Sequence, residues 1–211
     1  MIDISMRFEG HYAGWRQSRI SKIEKIFGKL FFQNKSILEL GAGFGHIGEH
    51  FQSLGSRVSF AEGREENVLI LKQKFNDVYH LNQNDQWNLN KKFDIVIHWG
   101  VLYHLDNWKQ DLICALNHSK ILLLESEVSD SDDPTFEIKV NEHTEYDQSV
   151  NGIGSRPSAQ NIENAIINLG FTFQRYDDSD LNYDFHVYDW SVTNSNTWRH
   201  GLRRFWIVQA K

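Results

Sequence analysis

Ser36-Ile-Leu-Glu-Leu40 is a short apolar run that stops on Gly41-Ala-Gly-Phe-Gly45, after which Ile47, Phe51 and Leu54 recur on one helical face up to Gly55. The run is too short for a helix and too apolar for a loop, so it reads as a buried strand. The spacing beyond it reads as an amphipathic helix. Glycine lets the backbone turn sharply at such a junction and leaves no Cβ between the chain and a ligand. A strand that hands over to a helix in this way is one unit of an α/β sheet.

The alternation continues. Arg57 to Ala61 reads as a strand, Val68, Leu71 and Phe75 as a helical face, and Val78 to Leu81 as a weaker strand. Phe93 to Ile97 is a strong strand, Trp108, Leu112 and Leu116 line a helix, and Ile121 to Leu124 is again a strand. Ser158 is placed to cap a helix carrying Ile162, Ala165, Ile166 and Leu169, which Gly170 ends. Phe171 to Tyr176 and Phe205 to Gln209 supply the last two strands, and a leading helix spans Trp15 to Leu30. Strands alternating with helices predict an α/β fold with a mostly parallel sheet. With 211 residues, 40% of them hydrophobic, the chain suits a single domain. Residues 1–35 would be a leading helical cap, 36–125 a cofactor-binding half, and 126–211 a substrate-side half with an insert at 177–204.

Composition excludes several classes. A net charge of −6 argues against broad electrostatic binding to nucleic acid. The single Cys114 lies in an apolar helical stretch and reads as core rather than nucleophile. No apolar run at the start resembles a signal peptide and no stretch is apolar enough to span a membrane, so a cytoplasmic protein without a membrane partner is expected.

Glu62 ends the strand after the glycine loop, where a carboxylate can accept hydrogen bonds from two ribose hydroxyls. Gly43-Phe-Gly45-His-Ile-Gly48 is also a literal G-x-G-x-x-G, so a dinucleotide site is an alternative. Against it, the strand enters the loop at Gly41, upstream of that match. Glu39, an acid inside the strand end, suits a cationic ligand better than a pyrophosphate.

Ile37-Leu-Glu-Leu-Gly-Ala-Gly-Phe-Gly45, then Phe93-Asp-Ile-Val-Ile-His98 with Gly100-Val-Leu-Tyr-His-Leu105, and the closing pair of strands together resemble the class I S-adenosylmethionine-dependent methyltransferases. The resemblance implies a Rossmann-like fold, a seven-stranded sheet with an antiparallel last strand and helices on both faces. It implies S-adenosyl-L-methionine as cofactor and S-adenosyl-L-homocysteine as product. Glu39, Gly41, Ala42 and Gly43 would then surround the methionine part, Glu62 with Gly63 the ribose, Asp85 or else Asn84 the adenine amino group with Gln86 beside them, and the backbone of His98 the methionine end. Within that family, Gly100 to His104, Leu123-Leu-Glu-Ser-Glu127 and Pro157-Ser-Ala159 are similar to the tRNA wobble hydroxyuridine carboxymethyltransferases. This chain is shorter and acidic, which suggests a shared catalytic domain rather than a shared substrate.

The expected activity is methylation of a small polar acceptor, with O-methylation of a sugar or related metabolite first. A tRNA-modifying enzyme and a non-catalytic cofactor-binding subunit are the alternatives. Transfer to a hydroxyl needs alignment and a base. His104, His186 and Glu125 are candidates for the base, and Tyr103 for lining the methyl channel. Each of these could instead brace its loop. The acidic run Ser129 to Asp133 reads as solvated rather than metal-binding. His46 and His50, four apart on a helix, lack a companion acid, so no metal is expected. The insert, rich in aromatic and hydrogen-bonding side chains, must emerge at the carboxyl edge of the sheet and wall the acceptor pocket, with Glu127 to Arg156 opposite.

Overall fold

The computed structural model describes residues 7–143 and 147–210. Residues 1–6 of the expected cap and 144–146 of the expected pocket wall lie outside them. The strands are β1 (Ser36–Leu40), β2 (Arg57–Glu62), β3 (Val78–His80), β4 (Phe93–Trp99), β5 (Ser119–Glu127), β6 (Glu137–Asn141), β7 (Ile153–Pro157), β8 (Phe171–Tyr176) and β9 (Arg203–Ala210). The helices are α1 (His11–Phe27), α2 (His46–Ser53), α3 (Glu65–Lys74), α4 (Trp108–His118) and α5 (Ala159–Asn168).

Seven strands form one sheet in the order β3-β2-β1-β4-β5-β9-β8. β1 to β5 are parallel, while β9 runs antiparallel to both β5 and β8. This is the seven-stranded, Rossmann-like sheet with an antiparallel last strand that the resemblance implies. The chain winds outward from β1 to β3 and then returns to place β4 on the other side of β1, which opens a crevice at the carboxyl ends of β1 and β4.

Strand alternation divides the core into two layers. Leu38, Val96, Leu122 and Leu124 meet Trp108, Leu112, Ile162 and Ile166 of α4 and α5 on one face. Ile37, Ile95, Ile97 and Leu123 meet Trp15, Ile20 and Ile23 of α1, Phe51 of α2 and Leu71 of α3 on the other. Odd-numbered positions of β1, β4 and β5 thus face α1. Glu39 of β1 and Glu125 and Glu127 of β5 share that parity, so three buried carboxylates lie beneath the leading helix.

Two local differences from the sequence reading have plain causes. The leading helix stops at Phe27 because Gly28 adopts a φ of 79°, and Lys29–Phe32 form a separate 3-10 turn. Leu30, which extends the apolar periodicity, is exposed. The polar segment after β5 contains an antiparallel hairpin, β6–β7, that the periodicity does not reveal. The Ser158 cap is present, its side chain accepting the Asn161 N–H. Among the described residues no helix is long and apolar enough to cross a membrane.

Candidate functional site

A cavity of about 460 Å³ opens at the carboxyl edge of the sheet, and its walls come from the ends of β1, β2, β4 and β5, the β6–β7 hairpin, the leading segment and the insert. At one end lie Glu39, Gly41, Ala42, Gly43, Glu62 and Gly63. Gly41 and Gly43 have φ values of 62° and 54°, a region costly for side-chain-bearing residues. A Cβ on Gly41 would run into Val101, and one on Gly43 would lie 3.1 Å from the Phe8 ring.

Two acids organise this end. Glu62 Oε2 accepts the Gly43 N–H at 2.8 Å and Oε1 accepts that of Arg64 at 2.8 Å, so one carboxylate pins the glycine loop to the turn after β2. Burial raises its pKa against the pull of those N–H groups. Glu39 Oε2 accepts the Gly48 N–H at 2.8 Å in the first turn of α2. Burial pushes its carboxyl up to about 8, although the Gly48 N–H and the Arg16 guanidinium oppose the shift.

Three expected cofactor contacts lie elsewhere. Asp85 and Gln86 are exposed and do not line the cavity. A turn in which the Asp85 N–H donates to the Asn82 carbonyl at 3.1 Å directs them outward, and Leu81, Asn82 and Gln83 make the wall instead. His98, expected to contribute its backbone, is not among the lining residues, and its side chain turns to the α4 face, where Nε2 meets Asp111 Oδ2. Trp99, Gly100 and Val101 line the cavity in its place.

At the other end are Tyr103, His104 and His186, all three on the cavity wall. His104 Nδ1 lies 2.6 Å from Glu142 Oε2, and Glu142 Oε1 accepts from Arg156 Nη2 at 2.8 Å. Burial raises the Glu142 pKa, but His104 and then Arg156 outweigh it and hold the carboxyl below its ordinary value. A carboxylate only accepts, so the neutral His104 ring carries its proton on Nδ1 and presents Nε2 as an acceptor. His186 is buried without a partner at Nδ1. Burial, then the Arg203 charge, push its pKa down to about 2, so the ring is neutral and weakly basic. The Tyr103 hydroxyl accepts from Arg203 Nη2 at 3.0 Å, and burial raises its pKa.

Glu125 is a structural hub. Its carboxylate meets Arg203 Nη1 at 3.0 Å, Arg19 Nη2 at 3.3 Å, the Tyr188 hydroxyl at 2.6 Å and the Gly100 N–H at 2.8 Å. Burial raises its pKa, but Arg203 and Arg19 draw it down to about 2. Of the insert, Phe185, His186, Trp198 and His200 reach the cavity. Trp190 instead donates from Nε1 to the Arg203 carbonyl, beneath Arg204. Glu142 and Arg156 were missed as site residues because they come from the hairpin, where no motif marks them.

The methyltransferase-domain family profile matches residues 12–175. The chain belongs to this family. The methyltransferase is also similar in fold to the N-terminal domain of EvdMO1 in the presence of SAH and D-fucose, with a TM-score of 0.68 at 18% identity, covering 92% of this chain and 84% of that one. Magnesium protoporphyrin IX methyltransferase (ChlM) from Synechocystis PCC 6803 with bound SAM gives 0.63 at 13% identity, over 99% and 90% of the two chains. An S-adenosylmethionine-dependent methyltransferase from Clostridium acetobutylicum ATCC 824 gives 0.61 at 14%, over 97% and 94%. No curated protein matches the methyltransferase in sequence.

Proposed function

We propose that this methyltransferase uses S-adenosyl-L-methionine to methylate a hydroxyl oxygen of a small polar acceptor, with His104 as general base. The observation that carries the reading is a single cavity running from the glycine loop, Glu39 and Glu62 to the His104–Glu142 pair. The residues present fit the cofactor. Two glycines at positive φ turn the loop beside the cavity, and Glu39 is a buried acid whose raised pKa a cationic ammonium would relieve. Glu62 would hold the ribose and Asn82 with Gln83 would border the adenine. Structural neighbours with bound SAM, or in the presence of SAH and D-fucose, add support for this cofactor and for a sugar-like acceptor.

When bound, the cofactor supplies a methyl group on a sulfonium that leaves as a neutral thioether. The protein supplies alignment, exclusion of water and removal of a proton. The acceptor oxygen would bond to the methyl carbon as the carbon–sulfur bond breaks, with the electron pair of that bond staying on sulfur. The hydroxyl proton moves to His104 Nε2, and Glu142 steadies the charged imidazole through Nδ1. His186 is assigned a contact role rather than the base, because its burial beside Arg203 leaves it a weak proton acceptor.

Calorimetry with SAH and with NAD tests the cofactor. Micromolar or tighter binding of SAH and none of NAD is expected, and the reverse result overturns the reading. Formation of SAH in the presence of D-fucose and a panel of hydroxylated sugars tests the acceptor class.

A further inference from the structure

His104 is one end of a longer chain of contacts. Glu142 joins it to Arg156 Nη2, Arg156 Nε lies 2.7 Å from Glu127 Oε2, and Glu127 Oε1 lies 2.9 Å from His200 Nδ1. One guanidinium therefore bridges two carboxylates, and each carboxylate holds the Nδ1 of a histidine. Both histidines line the same cavity. What was argued for His104 holds for His200: in the neutral ring a carboxylate at Nδ1 selects the tautomer with its proton there and Nε2 as an acceptor. No protein partner takes either Nε2 among the described residues. The His104 side chain is 14% exposed and that of His200 63%, so one acceptor lies within the cavity and the other at its mouth, and each suits a hydroxyl donor.

The charges around them are closed. Glu125 pairs with Arg19 and Arg203, while Glu127 and Glu142 pair with Arg156. Three carboxylates meet three guanidiniums, so this cluster as a whole presents no net charge to an acceptor. The apolar part of this end is aromatic. Tyr103, Trp198 and Phe185 line it, with the Arg156 guanidinium carbon 4.8 Å from the Tyr103 ring centre and 4.9 Å from that of Trp198. The guanidinium covers a face of each of those two rings, and Phe185, which is exposed, leaves apolar surface for the C–H groups of a saturated ring.

We infer that the acceptor is a neutral ring carrying two neighbouring hydroxyl groups, one deprotonated by His104 and the other held by His200. This rests on the methyltransferase reading above and names its acceptor class. His200 is a specificity residue in this scheme. Its hydroxyl keeps its proton, and only the hydroxyl at His104 is methylated.

The test uses the full chain saturated with SAH and three probes: cis-1,2-cyclohexanediol, cyclohexanol and cyclohexanecarboxylate. Binding is followed by the imidazole Cε1–H signals of His104 and His200 in NMR, assigned with the His104→Ala and His200→Ala variants. The diol is expected to shift both signals and to bind about tenfold tighter than cyclohexanol, the effect of one net hydrogen bond to a site of this kind. His200→Ala should bring the diol down to the affinity of cyclohexanol and leave SAH affinity unchanged. His200→Gln, which keeps an acceptor, should restore part of the difference. Equal affinities for diol and mono-alcohol, an unmoved His200 signal, no diol binding up to its solubility, or tighter binding of the carboxylate would each overturn the inference. Failure to bind SAH would instead overturn the cofactor reading, so the two failures are separable.

Discussion

Glu39 makes the cofactor reading measurable at a single proton. Its carboxyl stands at about 8 with no ligand cation beside it, against an ordinary 4.5. A cofactor ammonium placed there lowers that value, so SAH binding near neutral pH should expel a proton from Glu39. Affinity should then rise with pH up to about 8 and level off, and Glu39→Gln should flatten the dependence. Calorimetry in buffers of different ionisation enthalpy reads the released proton directly. For stability the sign is the opposite. A carboxyl whose folded pKa is raised contributes most below its unfolded value, and that contribution is lost as pH climbs through the folded value, here from 4.5 to about 8. The histidines separate in the same way. His104→Ala should cost on the order of 10²–10⁴-fold in turnover with SAH affinity unchanged. His186→Ala should leave the shape of the pH–rate profile intact, since that ring does not titrate near neutrality. The cofactor end was legible in the sequence because its glycines and acids stand next to strand ends, where position follows from alternation. Glu142 was not, because 38 positions separate it from His104 and only the tertiary fold joins them.

At the level of elements, the acidic run after β5 acts as a fastener. Asp130 Oδ1 accepts the Thr193 N–H at 2.7 Å and the Asn194 N–H at 3.2 Å, while Oδ2 accepts from the Thr193 and Ser195 hydroxyls. The aspartates singled out by sequence as solvated thus include one that ties the insert to the sheet. Asp130→Ala should lower stability by about 1–3 kcal/mol, the cost of leaving such donors unmet, and weaken acceptor binding more than SAH binding. Thermal melts with and without SAH check this. The sheet strands and most helices were readable from apolar runs and 3.6-residue spacing. The β6–β7 hairpin was not: β6 is only partly buried, and β7 is buried at Gly154, Ser155, Arg156 and Pro157 with no large apolar side chain but the proline, so neither strand carries an alternating apolar signal.

For the whole molecule, the net charge of −6 acquires a spatial meaning. The basic cluster from Arg199 to Arg204 is the best candidate for a nucleic-acid stripe in the sequence, but Arg203 and Arg204 are 3% and 2% exposed and serve the interior. Binding to bulk tRNA should accordingly be weak and show no steep salt slope. Nanomolar affinity that falls sharply with salt would restore the tRNA-modifying alternative. The fold class was legible at this scale because alternating strands and helices admit few topologies. The closing order β5-β9-β8 places a strand late in the chain inside the sheet, between two made before it. During synthesis on the ribosome, β5 and β8 therefore wait with open edges until β9 arrives. A chain stalled before Arg203 also leaves Glu125 without one of its two arginines. Such nascent chains expose what chaperones recognise, unpaired strands and apolar surface. The cavity can be completed only after β9 has left the exit tunnel.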